Sequence, residues 1–106
     1  MRVEVDVGAD PPAVVLAEPA DCGRFHVSVK GSVDIAALDR VLRSNAVGNV
    51  DSNGEAVVGV DALRRLAAGS VGAKWDDDFG AMLDYGRSKG WLSDDGAAIR
   101  AHVEWG

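Results

Sequence analysis

Two histidines, His26 and His102, are the side chains best suited to proton transfer near neutral pH. Each sits in an alternating stretch. His26 lies in Arg24-Phe25-His26-Val27-Ser28-Val29-Lys30, and His102 lies in Arg100-Ala101-His102-Val103-Glu104-Trp105. Residues two apart on a strand share a face, so Arg100 and Glu104 flank His102 on one side. If both strands belong to one sheet, His26, Ser28, Lys30, Arg100, His102 and Glu104 gather on its open face. Such a face could hold an anion or small ligand, with a carboxylate orienting an imidazole for acid–base work. It is also what the solvated side of an antiparallel sheet presents by default. The candidate ligand-binding set is His26, Arg100, His102 and Glu104. No residue is assigned a catalytic role.

Other spacings imitate sites without completing them. Cys22 and His26 form a Cys-x3-His pair, but zinc needs three or four protein ligands. A Cys–His nucleophile pair is available in principle, yet no oxyanion motif accompanies it. Asp76, Asp77 and Asp78 are consecutive, and on a helix consecutive side chains diverge by about 100°. They suit the positive end of a helix dipole better than a metal. Asn49-Val50-Asp51-Ser52-Asn53-Gly54 resembles the start of a calcium loop, but Val60 stands where the bidentate Glu is required. Gly69-x-x-Gly72 lacks the Lys-Ser/Thr of a phosphate loop. The expectation is no metal and no cofactor.

Five large aromatics, Trp75, Phe79, Tyr85, Trp91 and Trp105, fall in the last third of the chain. Trp75 and Phe79 have core spacing. Trp91 and Trp105 either pack beside them or stay exposed as anchors for a partner, and they are the partner-binding candidates.

Positioning these residues is the work of a small set of elements. Val3, Val5 and Val7 alternate with Arg2, Glu4 and Asp6, which predicts a strand ended by Gly8 and Pro11-Pro12. Ala13–Ala17 is a candidate short strand. Phe25, Val27 and Val29 mark the next one. Ile35, Leu38, Val41 and Leu42 predict a helix near 34–44, capped by Ser32 or Asp34. Asn53-Gly54 predicts a two-residue hairpin turn between 47–51 and 56–60. Asp61 then reads as the cap of a short helix over 61–68.

Trp75, Phe79, Met82, Leu83 and Gly86 lie at i, i+4, i+7, i+8 and i+11, one face of a helix over 75–89. Gly90 is its natural stop. Ser93-Asp94-Asp95-Gly96 reads as a turn. Ile99, Ala101, Val103 and Trp105 match period two four times. That outweighs the single helical pair Ile99/Val103, so 97–105 reads as a strand.

The 106 residues are 47% hydrophobic and 26% charged, with net charge −6. One core is affordable at this length. The acidic balance and the lack of a basic stripe argue against direct nucleic-acid binding or an anionic membrane surface. No signal peptide or spanning segment is legible. The lone Cys22 suits a reducing compartment. Richness in Ala, Val, Gly, Asp and Arg over Lys and Ile suits a GC-rich bacterial genome.

The sequence therefore predicts one α+β domain over 1–106. It should have two layers, a small mostly antiparallel sheet packed on one face by about three helices. The functional expectation is a cytoplasmic, non-catalytic protein-interaction or binding module, with self-association an option. The alternative is a small enzyme or anion and small-ligand binder using the polar face around His26 and His102.

Overall fold

A computed structural model describes every residue, Met1–Gly106. The fold is α+β. Its elements are β1 (Arg2–Asp6), β2 (Ala13–Ala17), β3 (His26–Lys30), α1 (Ile35–Ser44), β4 (Gly48–Val50), β5 (Ala56–Gly59), α2 (Val60–Ala67), α3 (Trp75–Ser88), β6 (Ala98–Ala101) and β7 (Val103–Trp105).

The strands make two sheets where the sequence suggested one. The first runs β2-β1-β3-β7 and the second β4-β5-β6. Ladders β1–β2, β4–β5 and β5–β6 are antiparallel, and β1–β3 and β3–β7 are parallel. The two sheets arise because the last strand breaks at His102. Before the break, β6 pairs with β5; after it, β7 pairs with β3. Alternation survives the break: Ile99, Ala101 and Val103 are buried, whereas Arg100, His102 and Glu104 are exposed. One strand-like segment thus feeds both sheets from a single apolar row.

The core is one cluster of 19 buried residues drawn from both sheets and all three helices. Val3, Val5 and Val27 are fully buried in the first sheet, Ala56 and Val58 in the second, and Leu38, Leu42, Leu63 and Phe79 on the helices. No polar or charged residue is buried, so the interior asks for no desolvated partner.

Helix ends follow local chemistry. The Asp34 carboxylate caps α1 by accepting from the Ala37 amide at 3.2 Å. The cap of α2 is Gly59, not Asp61. Asp61 lies in the first turn instead, where its charge meets the dipole. The first turn of α3 holds Asp76, Asp77 and Asp78.

The hairpin also differs from expectation. Asp51 pairs with Glu55 through the backbone, and Gly54 donates to the Asp51 carbonyl at 3.1 Å. Only Gly54 takes positive φ, at +81°. This is a three-residue loop with one left-handed glycine rather than an Asn-Gly two-residue turn. The Asp51 carboxylate selects it by accepting from both Asn53 and Glu55 amides. No helix is long and apolar enough to cross a membrane.

Candidate functional site

The C-terminal end of α3 sets the geometry of the surface. Gly90, at φ +77°, lets the chain reverse. Its amide donates to Arg87, and the Trp91 amide donates to Gly86 at 2.9 Å. This is the paired bonding of a Schellman stop. Beyond it, Trp91–Ser93 run against β6: Arg100 donates to the Trp91 carbonyl at 2.8 Å, and Ser93 to the Ala98 carbonyl at 2.8 Å. The turn between is tied by Ser93 Oγ donating to Asp95 at 2.6 Å and by the Ala97 amide donating to the same carboxylate. These two bonds hold the Asp95 carboxyl below its usual pKa, the serine contact first.

Trp91 is consequently fixed in backbone yet 43% exposed. Its ring meets Tyr85 edge-on, centroids 5.8 Å apart at 70°, a favoured aromatic arrangement. Lys89 Nζ stands 5.5 Å from the centre of the Tyr85 ring.

Behind this pair opens a groove of about 880 Å³. Asp78, Met82 and Tyr85 form one wall, spaced i, i+4 and i+7 on α3. The 20–25 loop forms the other wall, with Cys22 and Phe25. Ile99, Arg100 and Ala101 of β6 lie between them, continuing into His102. Trp75 holds the loop in place: its Nε1 donates to the Pro19 carbonyl at 2.7 Å while its ring stacks on Phe79 at 4.5 Å.

The four residues of the candidate ligand set divide between the groove and the sheet face, with His102 at the seam: its carbonyl accepts from the Val27 amide at 2.9 Å, next to His26. His26 Nε2 lies 3.3 Å from Glu104 Oε2 on the open face of the first sheet. Arg100 and His102 line the groove instead. Arg100 Nη2 donates to the Gly90 carbonyl at 2.7 Å. Lys30, also expected on that open face, stands 3.9 Å from Asp6. The physical reason is the break at His102, which assigns Arg100 to one sheet and Glu104 to the other. Of the two tryptophan candidates, Trp91 lines the groove, while Trp105 is half-buried against the core.

Reading the sequence in isolation missed the other groove residues. Tyr85 carried a signal, since with Asp78 and the core-face Met82 it continues a helical row along the margin of that face. Glu55 and the 20–25 loop carried none, because only folding brings them near α3.

The groove's one thiol is set by its surroundings. Burial pushes the Cys22 thiol pKa up, and the Asp78 carboxylate adds to the effect. The thiol donates to the Pro19 carbonyl at 3.8 Å. A protonated thiol is a poor nucleophile and a poor metal ligand. No three His, Cys, Asp or Glu side chains group as metal ligands do. No protein family, curated protein or solved structure matches this chain.

Proposed function

We propose that the protein is a non-catalytic binding module. In this reading its groove seats a short segment of a protein partner with one bulky apolar side chain and a basic flank. The observation that carries it is the Trp91–Tyr85 pair, two exposed rings held edge-on in the lining of the groove. Rings fixed in this way lose little freedom on binding, which favours them as anchors. The basic flank follows from charge. Asp21, Glu55 and Asp78 reach the groove from three separate elements and outnumber its two arginines, Arg24 and Arg100, and the chain carries −6 overall. Such a field steers cationic partners.

The proposal assigns the module to a reducing, cytoplasmic compartment, supported by its single unpaired cysteine. A small-molecule occupant is the second reading. The groove's volume favours it, lying within the roughly 300–1,000 Å³ of ligand pockets.

Selection from a displayed library of random peptides tests the reading. Enriched peptides should share a large apolar residue beside Lys or Arg. Their affinity should fall at least about tenfold with Trp91→Ala and weaken with added salt. Recovery no better than on an unrelated acidic protein, or binding indifferent to Trp91→Ala, overturns it. Fragment hits whose amide shift changes cluster around Trp91 and His102, with no peptide selected, would favour the second reading.

A further inference from the structure

The two sheets have four edges, and three of them are tied off, covered, or short and charged. At β4 the outward Val50 amide donates to Asp39 Oδ1 at 2.8 Å. The outer edge of β6 is covered by Trp91–Ser93. The edge at β7 is three residues long and carries Glu104. Charge, shortness and covering segments are the usual ways of keeping an edge from pairing.

The fourth edge, β2, has none of these. Its only strand neighbour is β1. No backbone group of Ala13–Ala17 makes a hydrogen bond outside that ladder. From Pro11 to Ala17 there is no charged side chain, although 17 of the 106 residues are acidic. Val14 and Leu16 are half-buried on the helix side, and Val15 is 52% exposed on the other.

We propose that β2 pairs antiparallel with β2 of a second copy of this chain, about a two-fold axis through Val15. A two-fold interface must be self-complementary, each residue i meeting j while j meets i. Centred on Val15, the segment satisfies this: Val15 faces Val15, Val14 faces Leu16, and Ala13 faces Ala17. Every cross-strand pair is apolar, and side chains of like burial fall on the same side. The flanking acids do not oppose each other. Glu18 faces the second copy's Pro12 and is already paired with Arg2 at 2.9 Å; Asp10 faces the second copy's Ala20. The Glu4 residues, one strand in on each side, sit about three strand spacings apart, roughly 14 Å, beyond the Debye length of about 8 Å. The result is a continuous eight-stranded sheet with the helices of both copies on one face. The surface is separate from the groove and does not depend on its occupant.

Sedimentation of the full chain over a concentration series tests the pairing. The mass should rise toward twice the 11.0 kDa of one chain. Val15→Lys should weaken association at least roughly tenfold, with an unchanged circular dichroism spectrum. Ala13→Lys, on the same face nearer the strand end, should do the same and serves if Val15→Lys does not fold. Amide exchange should slow across Ala13–Ala17 as concentration rises. A wild-type chain that stays monomeric throughout overturns the proposal. So does a dimer that both lysine variants leave intact, or one whose added protection falls elsewhere than β2.

Discussion

Gly86 packs directly on Ile99. A Cβ at Gly86 would stand 3.0 Å from the Ile99 Cδ1 atom, and Ile99 is only 2% exposed. The close approach lets α3 lie against β6. Gly86→Ala gains helix propensity of about 1 kcal/mol and loses a similar amount to crowding. It should leave stability nearly unchanged. Gly86→Val adds branched bulk that one flexible methyl cannot yield to, and should destabilise by about 2–3 kcal/mol. Urea denaturation of both variants decides the matter. Equal midpoints for Val and Ala would show the contact to be looser than described.

Trp75 serves the core and the groove wall together. Trp75→Phe keeps a ring against Phe79 but leaves the Pro19 carbonyl without its 2.7 Å donor. The expected cost is about 1–2 kcal/mol, with faster amide exchange through residues 20–25. Stability loss without faster exchange there would mean that other contacts hold the loop.

Trp91 is the separable element. Trp91→Ala removes an exposed ring and its edge contact with Tyr85, at a cost of about 1 kcal/mol. In iodide quenching the wild type should show one readily quenched tryptophan, and this variant should lose it. A cost above about 3 kcal/mol would place the ring in the core and remove it as an anchor.

Asp39 and Asp95 contribute to the acid limb of stability. Asp39 is held below the usual carboxylate pKa first by the Val50 amide and then by Arg43; Asp95 is lowered by Ser93 and the Ala97 amide. Both are easier to ionise folded than unfolded. Their stabilisation is therefore complete above the ordinary Asp value of about 3.9, and it is lost as pH falls through their lowered folded values. The urea midpoint should be flat near neutrality and drop on acidification. Asp39→Asn and Asp95→Asn should each shallow that drop, and an unaltered acid slope in both would refute the assignment.

Local pattern alone made much of the fold legible. Alternation of Val3 and Val5, and of Val27 and Val29, specifies strands because a pleated backbone turns every second side chain inward. The stripe from Trp75 to Gly86 specifies α3, and Gly90 specifies where it ends. Ser32 and Asp34 both offered a cap for α1, and Asp34 takes it. Each of these depends on neighbours within a few residues.

Tertiary structure decided whatever depends on which distant backbone a group meets. The strand over 97–105 was readable as one period-two run, yet its break at His102 and its division between two sheets depend on β5 and β3, both remote in sequence. That division assigns Arg100 to one sheet and Glu104 to the other, leaving Glu104 beside His26, Arg100 in the groove, and His102 at the seam between them. Burial settled the tryptophans likewise: Trp91 and Trp105 look equivalent as residues, but only Trp91 lies past a helix stop that holds its ring in solvent. Alternation along a strand encodes which side faces inward. It carries no information about which strand comes to lie alongside, and that pairing assembled the groove.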